Sequence, residues 1–385
     1  MTSRAATGGD VHTVTVERIL PGGVGLARIE GRSVLLQGSV PGDTVEVALD
    51  GKRATLLRVV TPSPDRVVPV CADVDTCGGC DLMHLAYPAQ LAAKRDMLED
   101  CLRRIGKLTS WPEIRIIGSP AELAYRWRAS FHVAADGSLG YMGRRSHRIV
   151  SIRRCHVLDP VLEEWRSTSR AGDLPVGSRV ASMTNGEQVS GSAGGPAEEL
   201  SVVIGQERYR AAADGFFQAN GALVDRLVEE VVRMAAVHPD EHVQDLYAGA
   251  GLFTLPLARR AAGVTAVESD PRATSLLSRL LETAGIGNVE VRRRAVERSM
   301  ERRMDRMRSQ VIVLDPPRAG AGPDVVERIT GLRPKRVVMV SCDPATFARD
   351  VKDVAGRGYG LRELSLLDMF PQTHHLEVVG LLMKV

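Results

Sequence analysis

The chain contains 385 residues, of which 25% are charged and 44% are apolar, and its net charge is +3 at pH 7. This composition is ordinary for a globular protein of two or three domains, and so small a net charge does not by itself indicate nucleic-acid binding. No apolar run approaches the roughly 18 residues of a membrane span, and residues 1–13 lack the apolar core of a secretory signal. We therefore expect a cytoplasmic protein without a membrane partner, and we expect a monomer.

The first half of the chain has mainly β-type patterns. Residues 11–60 contain several short strand-like runs separated by glycine and proline turns, which is typical of a small β-barrel. A proline-containing connector at 61–69 leads to a cluster of cysteines. Residues 86–106 then have the pattern of one helix, and from about 120 to 213 the pattern is again rich in strands.

In the last part of the chain, predicted strands alternate with helices. The pattern starts with a helix at 221–236. The predicted strands are at 242–247, 263–268, 288–293, 310–315, 335–341, 361–368 and 375–384. Such alternation predicts a parallel, doubly wound α/β sheet. The final two strands are close together in sequence, which favours a hairpin at the edge of the sheet.

A glycine-containing loop follows the first of these strands. It has a GxG turn at Gly249 and Gly251, where glycine lets the backbone approach a ligand closely. Thr254 stands in place of the third glycine of a dinucleotide fingerprint, and Glu268 ends the next strand, where a carboxylate can bind ribose hydroxyls. The loop therefore fits S-adenosylmethionine at least as well as NAD, and the alternative is a purely structural glycine turn.

A single cysteine, Cys342, comes directly after the apolar run 336–340, which predicts a buried strand. A cysteine in that position is more often an inert core residue than a nucleophile. The polar sequence SCDPAT opens a helix, however, and the N-terminus of a helix favours a thiolate. Such a thiolate can add to C6 of a uracil ring and make C5 nucleophilic enough to accept a methyl group.

This chemistry also needs a base that removes the C5 proton. Glu377, at the start of the last predicted strand, is the best candidate, and the alternative is a surface carboxylate on an edge strand. The sequence DPPR at 315–318 follows another buried strand, where its prolines make the loop rigid beside the expected methyl group.

Four cysteines indicate a metal site. Cys71, Cys77 and Cys80 have C-x5-C-x2-C spacing, and Cys155 lies far downstream. In a cytosolic protein such a set favours a metal over disulfide bonds, although spacing alone leaves both zinc and an iron–sulfur cluster open. Cys101, within the helix at 86–106, is expected to be a core residue.

The motifs FFQAN, DLYAGAGLF, DPPR, SCDPATFARD and HLEVV together resemble those of the TrmA/RumA-type RNA 5-methyluridine methyltransferases, most closely the ribosomal RNA branch. The similarity covers nearly the whole chain. It implies a Rossmann-like class I methyltransferase domain, preceded by an N-terminal TRAM (OB-like) β-barrel and a β-rich central domain. It also implies that Cys342 is the nucleophile, that Glu377 is the general base and that a [4Fe-4S] cluster of structural role is bound by the four cysteines. The residues that fall where the family binds S-adenosylmethionine are Gln218, Tyr247, Glu268 and Asp315, around the glycines of the loop.

The resulting domain division is 1–67 for the barrel, 68–214 for the cluster domain and 215–385 for the catalytic domain, with the helix at 86–106 packing on the catalytic domain. RNA is the expected partner, with ribosomal RNA favoured and transfer RNA as the alternative. Basic residues interleave with aromatic residues between 126 and 154, which suits contacts to RNA. The basic run 301–308 is either another phosphate-contacting surface or a solvated helix face. The aromatic candidates for stacking on bases are Trp127, Phe131, Tyr141, Phe216 and Phe217.

Three other functions stay open from the residues alone. A radical S-adenosylmethionine enzyme would need C-x3-C-x2-C spacing and an open iron position, which this cysteine set does not match. An RNA-binding protein with a degenerate methyltransferase fold would not need both Cys342 and Glu377. An amino-group methyltransferase could use the DPPR loop but would need no nucleophilic cysteine.

Overall fold

The structure is a computed structural model that describes residues 10–50, 53–144, 146–299 and 309–385. The basic run 301–308 lies outside the described residues. In the described part of the chain, no helix is both long enough and apolar enough to cross a membrane.

An eight-stranded mixed sheet forms the centre of the C-terminal half. In spatial order its strands are β17 (Val289–Arg293), β16 (Gly263–Glu268), β15 (His242–Leu246), β18 (Val311–Leu314), β19 (Arg336–Ser341), β21 (Glu377–Lys384), β20 (Tyr359–Leu367) and β7 (Ile114–Ile117). The first five strands are parallel, and β21 runs antiparallel to both of its neighbours. The predicted doubly wound α/β fold is therefore confirmed.

The prediction that the last two strands form a hairpin at the sheet edge is wrong in one respect. β20 and β21 do pair antiparallel, but β7 pairs parallel with β20 on its outer side. Because β7 comes from the first half of the chain, residues far upstream of the other seven strands complete the sheet.

Helices cover both faces of this sheet, and a smaller one packs in the central β-rich region. They are α1 (Tyr87–Arg104), α2 (Pro160–Thr168), α3 (Val224–Ala235), α4 (Thr254–Ala258), α5 (Pro271–Thr283), α6 (Val296–Ser299), α7 (Gly322–Gly331) and α8 (Pro344–Ala355). Three of them start at an Asp-Pro pair: Asp159 caps α2, Asp270 accepts a hydrogen bond from the backbone N–H of Ala273 at the start of α5, and Asp343 caps α8 in the same way. This arrangement satisfies free N–H groups at the helix start and uses the fixed φ of proline.

The helix predicted at 86–106 is present as α1, and it packs on α8 and the eight-stranded sheet. Its Leu98 and Leu102 are fully buried in one core with Phe347 and Ala348 of α8 and with strand residues of the central sheet. The burial of these side chains fixes α1 to the sheet that carries the site.

The N-terminal and central regions are rich in strands, as expected. Two three-stranded sheets share one core in the N-terminal region: β1 (Val11–Thr15), β5 (Thr44–Asp50) and β6 (Arg53–Thr61) form one, and β2 (Arg18–Leu20), β3 (Val24–Ile29) and β4 (Arg32–Gln37) form the other. The central region has a five-stranded sheet, ordered β10 (Ile149–Val150), β9 (Leu139–Met142), β8 (Arg128–Val133), β11 (Arg179–Thr184) and β12 (Val189–Ser192). Its remaining pair is β13 (Glu199–Ile204) with β14 (Glu207–Ala212).

A buried ion pair joins α1 to the end of β20. The ammonium of Lys94 donates to Asp368 Oδ1 at 2.5 Å and to the carbonyl oxygen of Phe370 at 3.0 Å, and both charged side chains are fully buried. Removing one partner of such a pair leaves the other charge uncompensated in a dry interior.

We therefore expect Lys94→Ala to lower the free energy of unfolding by about 3–5 kcal/mol. Chemical denaturation monitored by circular dichroism measures this loss. The double variant Lys94→Met/Asp368→Leu should recover much of it, because no buried charge then remains unpaired. Equal loss in the single and double variants would contradict an electrostatic cause.

Candidate active site

Strand register brings Cys342 and Glu377 together. β19 pairs antiparallel with β21, and at the C-terminal end of β19 the last residue pair of this ladder is Ser341 with Val378. The next residue of each strand in that direction is Cys342 on one side and Glu377 on the other. The charge of Glu377 acts directly on the thiol of Cys342, so the two groups are electrostatic neighbours.

Burial dominates the ionisation of both groups. It raises the pKa of the Cys342 thiol to about 11, with further contributions from Glu377 and Asp315 and an opposing one from Arg318. The Glu377 carboxyl is only 4% exposed, and burial, with Asp315 nearby, raises its pKa well above the ordinary value. The alternative of a surface carboxylate on an edge strand is therefore wrong, since Glu377 lies on an interior strand.

The expectation that the start of a helix would favour the Cys342 thiolate is not met in the structure. Asp343 Oδ1 accepts hydrogen bonds from the backbone N–H groups of both Ala345 and Thr346, each at 2.9 Å. The first free N–H groups of α8 are thus already satisfied by a negative side chain. Burial then decides the direction, and the thiol pKa rises.

The DPPR loop follows β18 and is held by the end of the SCDPATFARD motif. Asp350 Oδ2 accepts from the backbone N–H of Ala321 at 2.7 Å, and Arg349 donates to the carbonyl oxygen of Ala319 at 2.8 Å. Gly320 lies between them with φ +79°, and a Cβ there would lie 2.5 Å from Asp350 Oδ2. The loop therefore fixes Asp315, whose pKa burial raises to about 7.

The GxG loop has the backbone expected for a ligand cradle. Tyr247, Gly249 and Gly251 all have positive φ, of 63°, 56° and 94°. Positive φ at a tyrosine is uncommon and is typical of functional sites. Glu268 Oε2 accepts from the backbone N–H of Gly249 at 3.0 Å, which joins the end of β16 to the loop. The Tyr247 hydroxyl donates to Glu297 at 3.3 Å.

One buried acid at this site was not singled out by the sequence patterns. Asp245 is 1% exposed, its Oδ2 accepts from the Thr254 hydroxyl at 2.5 Å, and its Oδ1 has no hydrogen-bond partner among the described residues. Burial raises the pKa of Asp245 to about 7, and the nearby Asp315 and Glu268 add to the rise. The signal that marks it is its position at the end of the strand just before the glycine loop.

Gln218 and the aromatic candidates occupy different environments. Gln218 is buried at 6% exposed, and the adjacent Phe217 packs in the same core as Leu252 of the glycine loop. Phe216 is 71% exposed, whereas Phe131 is fully buried. Of the other three candidates, Trp127 packs against Gly221, Tyr141 lines the cysteine cavity, and Phe217 is buried. Phe216, with the Arg128 guanidinium 5.9 Å from its ring centroid, is the most exposed of the five in this conformation.

The four cysteines of the predicted metal site line one cavity of about 40 Å³. Its lining includes Cys71, Cys77, Cys80 and Cys155 together with Arg126. Burial raises the pKa of all four thiols, to about 12 for Cys80, where the neighbouring Cys155 adds to the rise. Within the described ranges, no group of three or more histidine, cysteine, aspartate or glutamate side chains has the arrangement of a metal-ion site. Cys101 lies apart from this cavity and is buried at 4% exposed, as expected of a core residue.

Comparison with known proteins identifies the family. The family described as tRNA (Uracil-5-)-methyltransferase matches residues 183–385. The chain belongs to the RNA uracil-C5 methyltransferase family. It is 32% identical to a 23S rRNA (uracil(1939)-C(5))-methyltransferase of Pectobacterium atrosepticum, over 99% of this chain and 95% of that protein. It is 31% identical to an RNA methyltransferase of Gloeobacter violaceus, over 97% of this chain and 96% of that protein.

A solved structure of the same uracil-C5 class has a similar fold. It is the Pyrococcus abyssi tRNA (uracil-54, C5)-methyltransferase in complex with S-adenosyl-L-homocysteine, with a TM-score of 0.74 and 25% identity. The alignment covers 96% of this chain and all of that one. The expectation of an S-adenosylmethionine-dependent RNA methyltransferase with a Rossmann-like class I fold is thereby confirmed.

We expect Gly320→Ala to slow methylation by at least about tenfold, because the new Cβ would collide with Asp350 and displace the DPPR loop. Gly322→Ala is the matched control: Gly322 has a similar φ of +77°, but nothing lies within 4 Å of its Cβ position. Turnover of both purified variants, measured with labelled methyl donor, separates the two effects. Equal turnover in the two variants would contradict a role for close packing at Gly320.

Proposed function

We propose that this protein transfers a methyl group to C5 of a uridine in 23S ribosomal RNA, with Cys342 as nucleophile and Glu377 as general base. The single observation that carries the proposal is the β19–β21 register, which sets a half-buried thiol beside a buried carboxyl. Neither group has a structural need to be there, since burying an ionisable group costs free energy unless it is used or paired.

The chemistry requires four changes of bonding. The Cys342 thiol gives up its proton to solvent, its sulfur forms a bond to C6 of the uracil, and the electron pair of the C5–C6 double bond moves into an enolate that makes C5 nucleophilic. S-adenosylmethionine, when bound, would supply the methyl group that C5 accepts and would leave as S-adenosyl-L-homocysteine. The Glu377 carboxylate then removes the proton from C5, the C5–C6 double bond re-forms and the C6–sulfur bond breaks. The thiolate is thus regenerated, and the proton leaves by way of Glu377.

The residues proposed to hold S-adenosylmethionine surround the glycine loop. Gly249 and Gly251 give the loop its shape, Tyr247 precedes them with positive φ, Glu268 accepts a hydrogen bond from Gly249, and Asp315 directly follows the neighbouring strand β18. Gln218 joins this set because the FFQAN motif occupies the family's cofactor position. The oxygen Oδ1 of Asp245 is a further buried acceptor at the same strand ends.

Ribosomal RNA is favoured over transfer RNA by the relatives that match along their whole length. Several of these, including one from Vibrio cholerae at 30% identity over 96% of this chain, are described as acting on uracil 1939 of 23S rRNA. The solved Pyrococcus abyssi protein acts on tRNA, so a transfer RNA substrate is the second candidate. Amino-group methylation is less well supported, because it gives no role to the Cys342–Glu377 pair.

We further propose a division of labour along the chain. Residues 1–67 form a TRAM-type module that binds RNA, 68–214 hold the cluster, and 215–385 carry out catalysis in the cytoplasm. The two sheets around a common core in the first region are consistent with an OB-like module. Because α1 and β7 join the catalytic sheet, the central segment contributes structure to the catalytic unit as well.

The cysteine cavity fits a [4Fe-4S] cluster in its donor set. Four thiolates are the ligands of such a cluster, and Cys71, Cys77, Cys80 and Cys155 line one cavity. The buried Nε of Arg126 has no hydrogen-bond partner among the described residues, and a positive group suits a cluster of negative thiolates. The cluster would act as a structural cross-link between residues 71–80 and Cys155.

We expect Glu377→Gln to lower turnover by at least about 100-fold and to accumulate a covalent protein–RNA complex with ordinary uridine. The amide cannot accept the C5 proton, so the methylated ring stays bonded to Cys342. Denaturing gels and intact mass measure the complex. Offering a 23S rRNA fragment and tRNA transcripts in competition identifies the RNA that is trapped, and the proposal predicts the ribosomal fragment.

Glu363→Gln is the matched control, because Glu363 is on the neighbouring strand β20 but is exposed and paired with Arg233. It should turn over normally and trap no RNA. Normal turnover of Glu377→Gln, or loss of turnover without a trapped complex, would contradict the role of Glu377 as the base.

The cluster proposal predicts about four iron and four sulfide per chain after anaerobic reconstitution. Cys155→Ser should reduce this content strongly, because it removes one of the four thiolates. Cys101→Ser should leave it unchanged, since Cys101 lies away from the cavity. Zinc in place of iron, or equal iron in both variants, would contradict the assignment.

A further inference from the structure

A series of hydrogen bonds and ring contacts joins the cysteine site to the active site. The cysteine turn (residues 77–82) lies against the pre-strand loop (residues 370–375), which leads into β21 and Glu377. The backbone N–H groups of Asp81 and Leu82 both donate to the carbonyl oxygen of Gln372, at 3.1 and 3.0 Å. On the other side of the loop, the side chains of Gln372 and Gln90 hydrogen-bond at 3.0 Å.

Asp81 makes the strongest of these contacts. It follows Cys80 directly in the sequence, and its Oδ1 accepts from the backbone N–H of His374 at 2.7 Å. Its other carboxylate oxygen forms a short hydrogen bond to Nδ1 of the His374 ring. Both side chains are largely buried, with 13% of Asp81 and 25% of His374 exposed. One carboxylate therefore fixes both the backbone and the ring of His374.

From His374 the contacts continue toward the nucleophile. The rings of His374 and His375 pack with their centroids 4.1 Å apart. Nδ1 of His375 lies 3.1 Å from a guanidinium nitrogen of Arg318, in the DPPR loop. Burial, with His374 and Arg318 nearby, lowers the pKa of His375 to about 4, so its ring is neutral at pH 7 and Nδ1 can accept from Arg318. The charge of Arg318 in turn acts on Cys342.

A parallel contact reaches the same histidine from the cysteine cavity. Arg126, which lines the cavity, lies over the ring of Phe370 at 5.8 Å from its centroid. The Phe370 ring meets His375 edge to face at 5.9 Å. His375 is therefore held between two sets of residues that both begin at the cysteine site.

We infer that Asp81 and His374 are positioning residues for the methylation, which hold His375 against Arg318, and thereby Arg318 near Cys342, by anchoring the pre-strand loop to the cysteine turn. This inference rests on the proposed function. Neither residue touches Cys342, so their effect on the reaction passes through His375 and Arg318. The cysteine site thereby supports the placement of the catalytic groups as well as the fold of its own domain.

The test compares His374→Ala with His374→Asn in the full-length protein reconstituted with iron and sulfide. The asparagine amide nitrogen can stand where Nδ1 of the histidine ring stands and can still donate to Asp81. We expect His374→Ala to slow single-turnover methylation of a 23S rRNA fragment by about 10- to 100-fold, with the KM for RNA within about twofold of wild type. His374→Asn should recover most of the lost rate. Iron per chain should be the same in both variants and the wild type.

His84→Asn is a control at a buried histidine just after the cysteine turn. His84 is also a buried histidine, but its ring contacts the carbonyl oxygen of Ser39 at 3.2 Å in the N-terminal region instead of the pre-strand loop. This variant should keep the wild-type single-turnover rate to within about twofold.

Three results would overturn the inference: an unchanged rate in His374→Ala, an asparagine variant no faster than the alanine variant, or a rate that falls only in proportion to lost iron. Failure of the proposed function gives a different result. In that case the wild type itself shows no methylation that Cys342→Ala abolishes.

Discussion

The antiparallel pairing of β21 with β19 is the constraint on which the site depends. In a wholly parallel sheet the residue next to the end of β19 would be the end of another strand. Here β21 begins where β19 ends, so the first residue of one strand meets the residue just after the other. Because both strands are interior, a half-buried Cys342 and a buried Glu377 come together at this end of the sheet. β20 and β7 complete the sheet beyond them and keep β21 from being an edge.

The site also contains several buried acidic groups. Asp245, Asp315 and Glu377 lie at the ends of three strands, and burial raises the pKa of each. These carboxyl groups therefore hold their protons more firmly than exposed carboxyl groups do. A cationic ligand at this end of the sheet would oppose those shifts and favour the carboxylates. The raised pKa values of these acidic groups therefore suit a positively charged methyl donor at the same strand ends, and burial likewise raises the pKa of the Cys342 thiol.

Much of the fold could be predicted from sequence because the central strands are buried on both faces. Runs such as VIVL in β18 are fully apolar, and two of the helices between the strands, α5 and α8, start at Asp-Pro pairs. The addition of β7 could not be predicted, since a four-residue strand carries little pattern of its own and its partner is far along the chain. The thiol pKa was predicted in the wrong direction because the sequence does not reveal how far the fold buries Cys342 beside two acidic groups.

In the candidate site, too, some features could be predicted from the sequence and others could not. Cys342, Asp315 and Glu268 were predictable because each follows directly on a buried strand, where α/β sheets bind ligands. The contact between Asp81 and His374 was not, because these residues are 293 positions apart and neither belongs to a recognisable pattern. Contacts of that kind depend on how two regions pack, which local sequence does not specify.

The central claim is that Cys342 forms a covalent bond to the target base, and peptide mapping tests it most directly. RNA containing 5-fluorouridine should stall the reaction, because fluorine at C5 cannot leave as a proton. After digestion with trypsin and nuclease, mass spectrometry should find the modified nucleotide on the peptide spanning residues 337–349, whose single cysteine is Cys342. A nucleotide on any other peptide, or no adduct in a protein that methylates RNA, would contradict the account.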